Sequence, residues 1–516
     1  MEIISVKNLS FRYNKASDYT LKDINFTVNY GDFVLIIGES GSGKTTLLKT
    51  LKKELTPYGQ LSGEIFFKGN NISDISPRES ASKIGFIMQD PDSQIVTDKV
   101  YSELAFGLES LGEERGTIRA KVSEFASYFG LQDKFNRKTN TLSGGEKQLL
   151  NLAAVMTMNP ELIILDEPTS MLDPISAIDF VNCLKRINAD LGTTVIIAEH
   201  HLSEIFQLAD KVAYLEKGEL AAYDEPKSIC KELKDKKIEY TLPAPVRVFN
   251  KLGGEGEVPL TIKDGRIFLQ KNYNLKSDNS KKEINTPPYL ILKDIWFRYE
   301  RNSDDILKGL NLKVNKGEIY CLVGANGSGK STLINIISHV LKPYRGKVKC
   351  DFKLSVLPQN PRDLFIKDKL EDDFRAVNNS YLELCSKFGI ESLLENHPYD
   401  LSGGEIQRAA IVKILLSNPD LILLDEPTKG LDSFAKKVLG EFLSSLGLTL
   451  LIVTHDLEFA AAYSDRCGLL FDGEITSESY TKPFFLGNNF YTTPVVKMTR
   501  GIVDGAVTVD DIIVES

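Results

Sequence analysis

The sequence predicts an α/β fold built twice within one chain. Three observations predict it: an internal repeat, short apolar runs alternating with helical patterns, and a glycine-rich loop closing one apolar run in each copy. Val6-Lys7-Asn8-Leu9-Ser10-Phe11-Arg12-Tyr13 returns as Leu292-Lys293-Asp294-Ile295-Trp296-Phe297-Arg298-Tyr299. Leu142-Ser143-Gly144-Gly145-Glu146 returns as Leu401-Ser402-Gly403-Gly404-Glu405, and Leu165-Asp166-Glu167-Pro168-Thr169 as Leu424-Asp425-Glu426-Pro427-Thr428. Ser143 precedes Asp166 by 23 positions, and Ser402 precedes Asp425 by the same 23, which excludes coincidence.

Phe33–Ile37 and Ile319–Val323 read as buried strands entering the glycine-rich loops, and Leu162–Leu165 and Leu421–Leu424 as buried strands that end in carboxylates. In parallel sheets ligands sit at the carboxyl ends of strands, where all these motifs fall. The copies span 1–240 and 289–480. Between them, 241–288 has the composition of a linker, with Pro243, Pro245, Gly253-Gly254 and the polar run Lys271–Lys282; Val258–Leu269 reads as a short strand within it. Residues 481–516 match nothing in the first copy, and their aromatics Phe484, Phe485, Phe490 and Tyr491 are expected to pack on their own domain.

Lys plus Arg number 62 against 71 Asp plus Glu, a net charge of −9, so the basic footprint of a nucleic-acid binder is missing. No apolar run reaches the roughly 18–20 residues that span a bilayer. The N-terminus enters a strand pattern without the basic and apolar regions of a signal peptide. The expectation is a soluble chain of the cytoplasm. Cys183, Cys230, Cys321, Cys350, Cys385 and Cys467 form no CxxC pair, which argues against zinc or iron–sulfur sites.

Gly38-Glu39-Ser40-Gly41-Ser42-Gly43-Lys44-Thr45-Thr46 and Gly324-Ala325-Asn326-Gly327-Ser328-Gly329-Lys330-Ser331-Thr332 are P-loops. Their backbone N–H groups close around phosphates, Lys44 or Lys330 reaches the β- and γ-phosphates, and Thr45 or Ser331 takes a position on Mg²⁺. Asp166 and Asp425 place a carboxylate where that Mg²⁺ belongs. Glu167 and Glu426 follow directly; strand alternation turns them another way, toward an attacking water.

Leu142–Gln148 and Leu401–Arg408 resemble the signature motif of ATP-binding cassette (ABC) proteins, and the likeness extends over both copies. It implies, for each copy, a parallel-sheet core with an antiparallel β-subdomain and a helical subdomain. It also implies a head-to-tail pairing around two ATP molecules, one touching Lys44, Ser402 and Gly404, the other Lys330, Ser143 and Gly145. By the same resemblance Tyr13 and Tyr299 stack on adenine, Gln89 and Gln359 contact Mg²⁺ or the attacking water, Asp173 and Asp432 are the D-loop acids, and His200 and His455 are the switch histidines. His201, His339 and His397 read as ordinary histidines. Lys44 to Gln89 is 45 positions and Lys330 to Gln359 only 29, so the second copy lacks 16 residues around the place of Asn70–Ser82.

Gln89-Asp90-Pro91-Asp92-Ser93-Gln94-Ile95-Val96 and the run Val100–Leu108 are similar to those of bacterial energy-coupling factor (ECF) importers; the second copy departs, with Arg362 and Leu364 in place of Asp92 and Gln94. The resemblance implies an ATPase on the cytoplasmic side of the cell membrane, driving a transmembrane coupling protein and a separate substrate-binding membrane subunit. Asp92, Glu103 and Asp363 are expected to meet basic helices of that partner. The alternative is a soluble tandem ABC ATPase acting on ribosomes or DNA. Against it stand the missing zinc clusters and long heptad segment, and a linker punctuated by Pro and Gly rather than a charged helical arm.

Overall fold

Phe33–Gly38 is buried at every position, so neither face meets water and the strand lies at the centre of a sheet. The computed structural model describes residues 1–14, 16–200, 202–272, 275–277, 286–350 and 352–514; His201 lies outside them. The chain divides into two units, Met1–Asn250 with Gly254–Thr261, and Lys251–Gly253 with Ile262–Ser516.

The strands of the first unit are β1 (Glu2–Tyr13), β2 (Leu21–Asn29), β3 (Phe33–Gly38), β4 (Gly59–Phe67), β5 (Asn70–Asn71), β6 (Ile84–Ile87), β7 (Leu162–Asp166), β8 (Thr194–Ala198), β9 (Lys211–Glu216) and β10 (Glu219–Asp224). They build an antiparallel sheet, β2-β1-β4-β5, and a six-stranded sheet, β10-β9-β3-β8-β7-β6. The second sheet is parallel except for β10. β8 alone separates β3 from β7, which brings the P-loop and the carboxylates to one edge.

The second unit has β11 (Leu275–Ser277), β12 (Pro288–Phe297), β13 (Leu307–Asn315), β14 (Ile319–Val323), β15 (Arg345–Lys349), β16 (Leu354–Leu357), β17 (Leu421–Asp425), β18 (Thr449–Thr454), β19 (Arg466–Phe471), β20 (Glu474–Tyr480) and β21 (Ile512–Val514). Its sheets are β13-β12-β15, β16-β17-β18-β14-β19-β20 and β11-β21. Along β14, Tyr320 and Leu322 pack toward the antiparallel sheet, while Cys321 and Val323 pack among the helices, the two-residue period of a strand buried on both faces. Among the described residues β5 and helix Pro77–Lys83 of the first unit have no counterpart between β15 and β16, which is where the shorter copy loses its residues. β15 is thereby left at an edge, where exposed Arg345, Lys347 and Lys349 discourage pairing with another strand.

Among its described residues the expected linker forms ordered structure, and most of the polar run Lys271–Lys282 lies outside the described residues. Residues 241–288 carry the helices Ala244–Lys251 and Ile262–Asn272, and then β11. The strand reading of Val258–Leu269 is corrected: Val258, Leu260 and Ile262 alternate like a strand, but from Ile262 the buried positions are 265, 268 and 269, the spacing of a helix face. Gly265 inside that helix weakened its signal in the sequence. Residues 481–516 belong to the second unit, through helices Thr481–Gly487 and Pro494–Thr499 and through β21, which pairs antiparallel with β11. Phe484 and Phe485 lie in that unit's core at 2% and 0% exposure, Tyr491 packs against it, and Phe490 is exposed. Among the described residues no helix is long and apolar enough to cross a membrane.

Because Phe485 is an internal side chain of the second unit, Phe485→Ala should destabilise that unit by about 3–5 kcal/mol. In calorimetry of the full chain, one transition is expected to move down while the other stays; two unmoved transitions would place Phe485 outside the core.

Candidate active sites

Each site starts at the end of a central strand. β3 leads through its loop into helix Lys44–Thr50, and β14 into helix Lys330–Ile337. The turn into each helix is made at Gly43 and Gly329, with φ of 102° and 101°, a conformation that strains any side chain. A Cβ on Gly43 would also strike Leu21 and Thr20. With the loop closed in this way, the Lys44 ammonium donates to the carbonyls of Gly38 (2.9 Å) and Glu39 (3.0 Å), and Lys330 donates to Gly324 (2.9 Å) and Ala325 (2.8 Å). Glu39, Ser40, Gly41, Asn326 and Gly327 form the exposed rims. Ser42 Oγ and Ser328 Oγ are buried with no hydrogen-bond partner among the described residues. An unpaired buried hydroxyl costs about 1–3 kcal/mol, and a phosphate oxygen in the loop is a fitting acceptor.

Asp166 ends β7 at 6% exposure and accepts from Thr45 Oγ1 at 3.0 Å. Asp425 occupies the same place beside Ser331, and its Oδ1 is buried without a partner among the described residues. Burial, reinforced by the neighbouring Glu167, pushes the Asp166 carboxyl up to about 6, and burial moves Asp425 in the same direction. In each copy the carboxyl oxygens of Asp166 or Asp425 and the neighbouring hydroxyl of Thr45 or Ser331 are hard oxygen donors of the kind that Mg²⁺ takes.

The next residue departs from the strand-alternation reading. β7 and β17 stop at the aspartates, and Glu167 and Glu426 adopt φ of 45° and 50°, left-handed for residues with a side chain. Such strain costs on the order of 1–3 kcal/mol and needs its surroundings to hold it. Here the Glu167 amide donates to Ala198 O (2.9 Å) and the Glu426 amide to Val453 O (2.8 Å). A break in the backbone therefore aims the second carboxylate, where alternation was expected to do so. Glu167 Oε1 lies 2.9 Å from His200 Nε2, and its Oε2 accepts from Gln89 Nε2 at 3.0 Å. Burial, the largest single influence, raises Glu167, but the hydrogen bond and electrostatic attraction of His200, together with Lys44, leave the carboxyl below its ordinary value; His455 and Lys330 act likewise on Glu426.

The second unit reproduces this with two exceptions, the first being that His455 turns Nδ1 to its glutamate where His200 turns Nε2. His455 Nδ1 is 2.9 Å from Glu426 Oε2. Gln359, however, is exposed and makes no hydrogen bond to Glu426 among the described residues, so the structure does not bring it into the site. In the first unit Gln89 also donates to Ser170 Oγ at 3.3 Å; Lys429 stands at the equivalent position and offers no acceptor.

The remaining residues fall as follows. Tyr13 Oη bonds to Thr46 Oγ1 and Tyr299 Oη to Thr332 Oγ1, both at 3.0 Å, which anchors each half-exposed ring over its P-loop helix. Ser143 opens helix Gly144–Met156 with a reciprocal cap, Glu146 N to Ser143 Oγ (3.3 Å) and Ser143 N to Glu146 Oε2 (2.7 Å); Ser402 N likewise donates to Glu405 Oε2 (2.9 Å). Both serines are exposed, and Gly145 and Gly404 follow them in the first turn. Asp173 and Asp432 cap the next helices through Ser176 N (3.1 Å) and Ala435 N (2.8 Å).

The expectation that Glu103 faces a partner is corrected. It is 5% exposed and accepts from Val96 N, Thr97 N and Thr97 Oγ1, at 3.1, 2.8 and 2.8 Å. Asp92 pairs with Lys147 at 2.6 Å, and Asp363 accepts from Asn360 at 2.7 Å; both acids remain exposed. Sequence reasoning also missed Glu199, a carboxylate directly after the apolar run Ile196-Ile197-Ala198, where its only signal was a charge at the end of a buried strand.

The ABC transporter family profile matches residues 21–170 and 307–429. The chain belongs to the ABC transporter family. As a tandem ABC ATP-binding protein it carries ATPase domains in both copies. A protein of Bacillus thuringiensis subsp. konkukian described as an ABC transporter ATP-binding protein is 38% identical over 98% of this chain and 97% of its own length. One from Methanosarcina mazei, described in the same words, is 32% identical over 92% of this chain and 88% of its own. Among solved structures, the archaeal ribosome recycling factor aABCE1, in complex with ribosomal stalk protein aP1, superposes with a TM-score of 0.63 at 23% identity, over 93% of this chain and 91% of that one. At that identity the likeness shows the fold alone.

Glu103→Ala would strip the acceptor from the amides of Val96 and Thr97. Hydrogen exchange at those two amides is expected to accelerate by about 10-fold or more, the equivalent of about 1.4 kcal/mol; unchanged exchange would contradict the anchoring role.

Proposed function

We propose that this ABC ATPase energises a membrane importer of the ECF type, on the cytoplasmic side of the cell membrane. Its partners in this reading are a transmembrane coupling protein and a separate substrate-binding membrane subunit. The observation that carries the transport role is the near full-length similarity to ABC transporter ATP-binding proteins, 38% over 98% of the chain. The stretch Gln89–Val96 carries the finer assignment, and the exposed Asp92 and Asp363 offer acidic contacts to basic helices. The chain needs no membrane segment of its own in this role.

At each site the chain's residues divide the work of hydrolysis. Lys44 or Lys330 and the P-loop amides hold the β- and γ-phosphates in place. Glu167 or Glu426 takes a hydrogen bond from the attacking water, whose oxygen bonds to the γ-phosphorus as the bond to the bridging β–γ oxygen breaks, yielding ADP and phosphate. His200 or His455 holds the glutamate and reaches the γ-phosphate, and Gln89 orients the same glutamate. Thr45, Asp166 and Gln89, with Ser331 and Asp425 in the other copy, would hold Mg²⁺, which supplies charge neutralisation to the phosphates. Tyr13 and Tyr299 stack on adenine. The exposed Ser143 and Ser402 suit the head-to-tail arrangement, in which each signature helix with its Gly145 or Gly404 addresses the nucleotide held by the other copy.

Glu167→Gln and Glu426→Gln test the catalytic reading. Each is expected to lower turnover by about 10²–10⁴-fold while ATP stays bound; rates within about twofold of wild type in both would remove the glutamates from catalysis. Affinity capture from detergent-solubilised membranes tests the transport reading. Recovery of integral membrane proteins is expected, whereas co-sedimentation with ribosomes instead would favour the soluble alternative.

A further inference from the structure

Glu199 is a buried carboxylate to which the hydrolysis chemistry above gives no task. It follows β8 at 1% exposure, directly after Ile196, Ile197 and Ala198, all at 0%. Its Oε1 accepts from the amide (2.8 Å) and the hydroxyl (2.7 Å) of Thr169, and its Oε2 accepts from the amide of His200 (3.1 Å). Thr169 opens the loop that holds Ser170 and Asp173. Glu199 therefore joins two chain segments that flank Glu167: the loop after β7 and the turn that presents His200. Burial pushes its carboxyl up to about 7, with the Thr169 bonds acting against that rise. A carboxylate this deep persists only when donors surround it, and here three donors meet its two oxygens.

The second unit shows what happens without it. Thr454 occupies the place of Glu199, is 0% exposed, and accepts from Asp456 N at 3.0 Å. The His455 amide then turns to the catalytic carboxylate itself, Glu426 Oε2 at 3.3 Å, on the same oxygen that faces the imidazole. In the first unit Glu199 takes that amide instead. Glu167 is thereby left with one oxygen for the His200 ring and the other for Gln89. Ser170 completes the arrangement, donating to the Glu167 carbonyl at 2.8 Å and receiving Gln89 at 3.3 Å. Lys429 at its counterpart leaves Gln359 exposed.

We propose that Glu199 is a positioning residue of the first ATP site. By holding the 169–173 loop against the amide of His200, it keeps both oxygens of Glu167 available to the side chains that act on nucleotide and water. The second site, with Thr454, works without this brace. The inference rests on the reading of Glu167 as catalytic.

Steady-state hydrolysis of MgATP by the full chain tests it, with Glu199→Gln, Glu199→Thr and, in parallel, Glu167→Gln. Glu199→Gln keeps the volume and one acceptor but turns an amide NH₂ toward the N–H of His200. Glu199→Thr gives the first site the residue of the second. Both are expected to lower kcat by about tenfold while KM for ATP stays within about twofold. A purely structural role would instead move ATP affinity and the heat-unfolding midpoint in step with the rate. That parallel movement, or a kcat within about twofold of wild type in both Glu199 variants, would overturn the proposal. If Glu167→Gln abolishes turnover and the Glu199 variants do not affect it, the positioning role alone fails. If turnover survives Glu167→Gln, the catalytic reading fails and the positioning role goes with it.

Discussion

The ammonium of Lys44 donates to the carbonyls of Gly38 and Glu39, and that of Lys330 to the carbonyls of Gly324 and Ala325; these bonds close each P-loop on the strand that feeds it. A loop so closed turns its amides inward and gathers positive potential at one point, which only an anion satisfies. The rest of each site is placed around that point. β8 and β18 hold the carboxylate strands one step away in the sheet, the helix after the loop carries the hydroxyl that meets Asp166 or Asp425, and Thr46 or Thr332 ties down the tyrosine ring.

Hydrolysis requires more than phosphate binding, and there the two copies diverge. The strained glutamate recurs in both, held by a backbone carbonyl of the adjacent strand, so the capacity to aim a carboxylate at water is duplicated. The groups that surround the glutamate are not duplicated. Glu199 and Ser170 face Thr454 and Lys429 across the repeat, and Gln89 is engaged where Gln359 is exposed. The β-subdomains differ as well, four strands against three. The same glutamate therefore sits in unlike surroundings in the two copies.

Most of this architecture was legible in the sequence, because the features that set it are local and repeated. A glycine-rich loop after an apolar run, an aspartate ending another, and a serine three residues before a glutamate at a helix start each carry their own geometry. What stayed hidden depends on partners distant in sequence. Glu103 reads as a surface acid until Val96 and Thr97 fold over it. Glu199 has no periodic signal and gains its meaning from Thr169, thirty residues earlier. The helix Ile262–Asn272 was obscured by Gly265 and by the alternation leading into it, and its burial depends on residues of the C-terminal segment such as Arg500, whose carbonyl accepts from Arg266 at 2.7 Å. The positive φ of Glu167 and Glu426 was equally invisible, since glutamate gives no hint of a left-handed backbone.

Each half of the chain is expected to hold its own ATP through its own P-loop lysine. Equilibrium dialysis with radiolabelled ATP on the full chain measures this directly, comparing the wild type with Lys44→Ala, Lys330→Ala and the double variant. Two ATP per chain are expected for the wild type, one for either single variant and none for the double. Two ATP per chain retained in either single variant, or a single ATP in the wild type, would contradict it.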